Sequence, residues 1–179
     1  MESQICASNK LLLAMGLKPA STLPEKQGLP PLSTWYADLF NFSRHKILIF
    51  YNPVTGYGMV AARVKKKQLC ALGEELLRTF EGALKDDGVS LEKANELLAA
   101  VANPNIRRTS DRKTRGHIVH AIRDLRSWMD RMDMGDTAAL ERAAHVGISH
   151  GISGPTWDPI KAFGEKIGET LENRLRWRP

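Results

Sequence analysis

Between residues 35 and 64 the chain reads as three strand-favouring segments separated by two turn signals, and this pattern narrows the fold more than any other feature. The middle segment, residues 46–51, runs Lys-Ile-Leu-Ile-Phe-Tyr with almost no polar interruption. A run of that kind suits a central strand covered on both faces, whereas a half-exposed strand alternates. Residues 35–42 mix aromatic, apolar and polar side chains with partial alternation, and Ser43-Arg44-His45 follows as a turn. Asn52-Pro53-Val54-Thr55-Gly56 is a second turn signal, after which residues 57–64 resume a strand. Short connections between successive strands predict an antiparallel meander. Upstream, Ile5-Cys6 reads as a brief strand, residues 8–15 as a short helix, and residues 19–31 as a proline-rich loop.

Beyond Val64 the apolar period changes from two to between three and four. Leu69, Leu72, Leu76, Phe80 and Leu84 predict one amphipathic helix over residues 65–85. Ser90 is placed to cap a helix over 91–101. Asn103-Pro104-Asn105 breaks the chain, and Ile118, Ala121, Ile122, Leu125, Met129 and Met132 predict a second long helix over 111–131, capped by Ser110. Asp136 opens a shorter helix to Val146. Asp158 and Pro159 begin a last helix whose stripe is Ile160, Phe163, Ile167, Leu171 and Leu175, with Arg174, Arg176 and Arg178 near its C-terminal end. The expected class is α+β: a small antiparallel meander packed against several helices. Residues 1–135 form the α+β domain and residues 136–179 a helical C-terminal extension on it.

The 179 residues carry a net charge of +6, and the excess is local. Arg63, Lys65, Lys66 and Lys67 lie in a stretch with no acid, and Arg107, Arg108, Arg112, Lys113 and Arg115 are opposed only by Asp111. Both clusters precede or open a predicted helix, where exposed N–H groups favour anions. If the two helix starts share one side of the sheet, they make a single basic surface suited to a nucleic-acid backbone or an acidic protein partner. The strand aromatics Trp35, Tyr36, Phe40 and Phe42 either stack on bases or fill the core of the sheet, and the core is the simpler assignment.

Catalytic signals are sparse. His117 and His120 are three apart on one predicted helix, and His145 and His150 flank a turn, but no Cys-x-x-Cys or His-Glu-x-x-His accompanies them, so neither a metal nor a cofactor is expected. Gly147-Ile148-Ser149-His150-Gly151 fits the letters Gly-x-Ser-x-Gly, with Ser153 nearby, yet lacks the strand-to-helix context of a hydrolase elbow. Arg112 and His117 are the pair best suited to phosphodiester chemistry, arginine stabilising anionic oxygens and histidine moving protons. Cys6 and Cys70 are too few for a disulfide framework and are expected to be reduced thiols. No secretory signal and no membrane-length apolar run is read, so a cytoplasmic protein is expected.

Four segments carry a family resemblance. They are Ile5-Cys6-Ala7-Ser8-Asn9-Lys10-Leu11-Leu12; Trp35-Tyr36-Ala37-Asp38-Leu39-Phe40; Arg44 through Asn52; and Thr109-Ser110-Asp111-Arg112-Lys113-Thr114-Arg115-Gly116. In order and spacing they resemble an uncharacterised bacterial domain family of unknown function, often met near mobile elements, over about residues 3–132. That family shows a Trp-His-Ala-Asn-Leu strand and an Asn-Arg-Ser-Val-Leu-Gly helix start. Tyr36 stands here in place of its histidine, Asp111 in place of its asparagine, and Val119 and His120 in place of Asn-Asp. The resemblance implies an α+β domain and brings no activity, substrate or cofactor. The expected function is a non-enzymatic binding or regulatory protein of a bacterium, phage or plasmid that contacts nucleic acid. The alternatives are a protein-binding inhibitor (an antitoxin or a phage counter-defence factor, with the last helix as its docking element) and a phosphodiester- or nucleotide-processing enzyme. An exposed sheet edge and long apolar helix faces also suit a homodimer.

Overall fold

The computed structural model describes residues 2–130, 135–151 and 158–171. It is an α+β fold built on a five-stranded sheet, comprising β1 (Gln4–Ala7), β2 (Thr34–Phe42), β3 (His45–Tyr51), β4 (Gly58–Ala62) and β5 (Asn105–Arg108), in the order β4-β3-β2-β1-β5. The meander expected from the sequence is present as β2-β3-β4, antiparallel throughout. The sheet as a whole is mixed, because β1 lies parallel to both β2 and β5. β5 is short, polar and preceded by Asn-Pro, and it gains its place by pairing with the buried β1, so local pattern gives no sign of it.

Helices cover both faces of the sheet. α1 (Asn9–Met15), α2 (Lys66–Cys70), α3 (Leu72–Asp87), α4 (Leu91–Ala100) and α7 (Pro159–Ile167) contribute to one core with Trp35, Leu39, Leu48, Phe50 and Met59. α5 (Arg112–Met129) and α6 (Thr137–Val146) form the other with Tyr36, Phe40, Ile47, Ile49 and Val60. The unbroken apolar run in β3 follows directly: Leu48 and Phe50 serve one face while Ile47 and Ile49 serve the other. Trp35 sits 5.0 Å from Phe80 between ring centroids, and Tyr57 stacks on Phe163 at 4.1 Å. Trp35, Tyr36 and Phe40 are therefore core residues and present no surface for bases.

Three helix boundaries differ from the sequence reading. The helix expected over 65–85 is two helices, because Ala71 leaves the helical region (φ −105°, ψ 46°), and the break lets α2 pack on α1 while α3 turns to β4 and α4. The cap of α5 is Asp111, not Ser110: its carboxylate accepts from the backbone N–H groups of Lys113 (2.9 Å) and Thr114 (3.1 Å). The last helix stops at Ile167, where Gly168 takes a left-handed φ of 75° and closes it. Its Ile160, Phe163 and Ile167 are buried in the first core, so this stripe packs within the chain and is not free to dock elsewhere. Leu175 and the arginines at 174, 176 and 178 lie outside the described residues, as does Met132.

Both sheet edges are occupied by the chain itself. Along β4, Gly58 N–H donates to Ser149 Oγ (3.1 Å) and Ala62 N–H to Glu141 Oε1 (2.8 Å). Along β5, Arg108 N–H donates to the Leu23 carbonyl (2.8 Å) and Glu25 N–H to the Arg108 carbonyl (3.1 Å). The exposed edge on which a homodimer was expected to form is thus covered at these positions. Among the described residues no helix is long and apolar enough to cross a membrane.

Candidate functional site

The proline-rich loop delivers one carboxylate to the start of α5. Glu25 Oε1 accepts from the Tyr36 hydroxyl (2.7 Å), while Oε2 accepts from Ser110 N–H (3.2 Å), Ser110 Oγ (3.1 Å) and Asp111 N–H (3.3 Å). Partial burial would raise the Glu25 carboxyl, but the Tyr36 hydroxyl and the Ser110 donors outweigh it and hold the group below its ordinary value. For Tyr36, burial pushes the phenol up and the neighbouring Glu25 pushes it further. Two of the four segments that carry the family resemblance, those containing Tyr36 and Asp111, therefore meet through a residue of neither. Glu25 gives no sequence signal, because a single acid in a proline-rich loop has no periodic or motif context.

With Glu25 on the N–H groups of Ser110 and Asp111, and Asp111 on those of Lys113 and Thr114, the N–H groups around the start of α5 already have carboxylate partners from this chain. The anion-binding argument from the helix start therefore does not apply there, and the basic side chains are what remain. Arg112, Lys113, Arg115, Arg123 and Arg126 are all exposed on α5, and Asp124 is the only acid in the helix. Arg112, Arg115, Arg123 and Arg126 fall within an arc of about 80° along a helix about 27 Å long. Arg126 is steadied by the Asn41 carbonyl (3.4 Å) and lies 5.6 Å above the Phe40 ring.

The other basic residues lie elsewhere. β4 and β5 are opposite edges of the sheet, four strand spacings or about 19 Å apart. Arg107 shares a rung with Cys6, and through β2 and β3 with Gly58, at the start of β4, whereas Arg63 follows Ala62 at the end of β4. The two clusters do not merge into one surface. Lys65, Lys66 and Lys67 are exposed at the start of α2, and Arg63, at φ 57°, reaches back toward the Gly135 carbonyl (3.4 Å). Arg107 and Arg108 are half-buried in the sheet edge.

Beside the start of α5 a cavity of about 490 Å³ is lined by Tyr51, Pro53, Asp111, Lys113, Thr114 and His117. A second hollow of about 230 Å³, under the proline-rich loop, shares Pro53 and Asp111 with it. Thr114 Oγ donates to Asp111, and this hydroxyl, partial burial notwithstanding, keeps the Asp111 carboxyl below its ordinary value. Arg112 is not part of this lining, so the pair Arg112 and His117 does not converge on one cavity.

A second polar cluster is buried between β4, α3 and α6. His145 Nε2 lies 3.1 Å from Asp87 Oδ2, and Asp87 Oδ2 also accepts from the Tyr57 hydroxyl at 2.5 Å. His145 Nδ1 lies 2.7 Å from the Gly58 carbonyl, to which Ser149 Oγ also donates at 2.9 Å. The letters Ser, His and Asp are all here, with His145 beside Ser149. The wiring is not that of a catalytic triad. Ser149 Oγ lies 3.3 Å from His145 Nδ1, but its hydroxyl donates to the Gly58 carbonyl, and both ring nitrogens face acceptors, which favours the doubly protonated ring over one that takes the serine proton. Ser149 is fully buried. Burial alone would lower the His145 imidazole, but the Asp87 carboxylate and the Gly58 carbonyl reverse this and raise it above its ordinary value. The Tyr57 phenol is pushed up by burial and further by Asp87. The side chain of His150 and residues 152–157, with Ser153, lie outside the described residues.

A cavity of about 260 Å³ beside this cluster is ringed by Arg78, Arg142, Glu141 and Asp86, with Arg78 paired to Glu75 and Glu141 and Arg142 paired to Asp86. Among the described residues no three His, Cys, Asp or Glu side chains are placed to hold a metal ion. Cys6 is buried in the sheet, which pushes its thiol up to about 12, and Cys70 is exposed on α2. Neither the curated proteins nor the solved structures give a match to the chain. A family model does match, over residues 4–150, and the chain belongs to that family, described as a domain of unknown function (DUF6933).

Proposed function

We propose that this protein is a non-enzymatic binding protein that engages the phosphate backbone of a nucleic acid through the exposed face of α5. The observation that carries the reading is the charge of that helix: five exposed cations against one acid, on an element whose opposite stripe is fixed to the sheet by Ile118, Ala121 and Leu125. Arginine and lysine on a rigid helix meet phosphates without ordering a loop first. Lys65, Lys66 and Lys67 form a separate exposed point that a longer strand would reach around the sheet. Arg107 and Arg108, half-buried, add to the field rather than to the contact surface.

The test is affinity for short DNA and RNA, single- and double-stranded, across a salt series. Four or five phosphate contacts give a log–log slope of roughly −3 to −4, and each exposed arginine of α5 replaced by alanine removes roughly one unit of it. No binding at low salt, or a response flat in salt, refutes the reading. Capture of an acidic protein in place of nucleic acid would replace it with the protein-binding alternative.

A further inference from the structure

We propose that the cavity formed by Tyr51, Pro53 and His117 beside the start of α5 receives a single unpaired nucleobase, which makes single-stranded nucleic acid the ligand. The inference rests on the backbone-binding reading of α5 and names the substrate class of that same surface. The rings of Tyr51 and His117 stand at 81° to each other with centroids 6.5 Å apart, which makes a corner. A flat aromatic ligand in that corner lies face-on to one ring and edge-on to the other, and both arrangements are favourable for π systems. Pro53 closes the corner with a third apolar wall. The volume, about 490 Å³, falls in the range of small-molecule sites, roughly 300–1,000 Å³.

The polar lining suits a base attached to a phosphate chain. Lys113 lines the cavity, and Arg112 beside it is exposed at the same helix start, so cationic side chains stand where the backbone of an inserted nucleotide would run. The Asp111 carboxylate lies within and can accept from the N–H groups of a base edge, as can Thr114 Oγ, whose own hydrogen goes to Asp111. A base inside a duplex has both faces stacked on neighbours and is not available to either ring, whereas an unpaired base is. His117 is exposed at the cavity mouth and Tyr51 is half-buried at the end of β3, so one wall is adjustable and the other fixed.

The experiment compares short oligothymidylate with an abasic oligomer of equal length and charge at low salt, using the full chain and its His117→Ala variant. The wild-type protein is expected to bind the base-bearing strand about five-fold or more tightly. His117→Ala is expected to erase that preference while leaving affinity for the abasic strand unchanged. His117 is solvent-exposed, and circular dichroism of the variant checks that the fold is retained. Thymidine monophosphate is expected to shift the His117 ring protons in a saturable way, and oligouridylate run beside oligothymidylate separates RNA from DNA. Equal affinity for the two oligomers in the wild-type protein overturns the base site and leaves backbone binding standing. A preference that survives His117→Ala places the base elsewhere and also overturns it. Failure of both oligomers to bind refutes the reading of α5 and the inference with it.

Discussion

His145 and Asp87 face each other across 3.1 Å in the interior, joining the end of α3 to α6, and each is bonded onward, Asp87 to Tyr57 and His145 to the Gly58 carbonyl. A buried pair of this kind contributes little against an apolar substitute but is costly to break from one side. Asp87→Ala strands an imidazolium and a phenol and is expected to lose about 3–5 kcal/mol in urea denaturation. The double variant Asp87→Asn, His145→Gln removes both charges and is expected to lose less than the sum of the two single changes.

The same pair sets a pH dependence. The folded imidazole lies above its ordinary value of 6.5, so the stability it contributes is complete below that pH and is lost as pH rises through the folded value. Among the described residues it is faced by Asp87 and Asp86 from the end of α3, with Tyr57, Gly58 and Ser149, while the Arg78 and Arg142 side chains that line the cavity beside it are paired to carboxylates. Urea midpoints measured upward from about pH 6.5, and kept below about pH 10 so that tyrosines stay protonated, are expected to fall in the wild-type protein. His145→Gln is expected to flatten that fall.

Glu25 acts in the opposite sense. Its folded carboxyl lies below the ordinary 4.5, so its contribution is present above that pH and is lost as pH drops through the folded value. Glu25→Gln keeps the shape but gives up the charge on five hydrogen bonds, the fifth from Gln27 Nε2 (2.8 Å). Because the position is only partly buried, the expected loss is about 1 kcal/mol. The sharper readout is hydrogen exchange, which is expected to quicken at the backbone amides of Ser110 and Asp111 while the α3 amides stay unchanged.

Gly58 is required by contact, not by backbone angle. A Cβ added there would stand 2.2 Å from Ile148 Cγ2, and Ile148 is packed into the second core. Gly58→Ala is expected to cost about 1–3 kcal/mol, read as a fall in Tm of about 2–4 °C for each kcal/mol in a chain of this size. In an Ile148→Ala background the added cost of Gly58→Ala is expected to shrink, which identifies the clash as the cause.

The elements legible in the sequence were those whose own residues decide them. β3 announces itself by burial on both faces, α3 by its leucine stripe, and α1, α4, α6 and α7 by Ser8, Ser90, Asp136 and Asp158 at their starts. The Ser43-Arg44 turn was legible in position, though both residues hold positive φ (44° and 67°) without a glycine to mark the two-residue hairpin type. β5 and the helix break at Ala71 were not legible, because each is decided by a distant partner rather than by local pattern. The site divided in the same way. The basic residues of α5 could be read off directly, whereas Tyr51 and Glu25 join the site only through the register of the sheet and the return of the proline-rich loop, and Asp87 meets His145 across 58 positions.

β1 occupies an interior place in the sheet, yet its neighbours begin 30 and about 100 positions away, at Thr34 and Asn105. During synthesis β1 emerges before both of its neighbours, and its second side is closed only when β5 follows about 100 positions later. Until then the growing chain carries a half-paired strand, and the sheet cannot be completed from β1 to β4 alone. The β2-β3-β4 hairpins, by contrast, draw their pairing from neighbouring sequence and do not wait for β5.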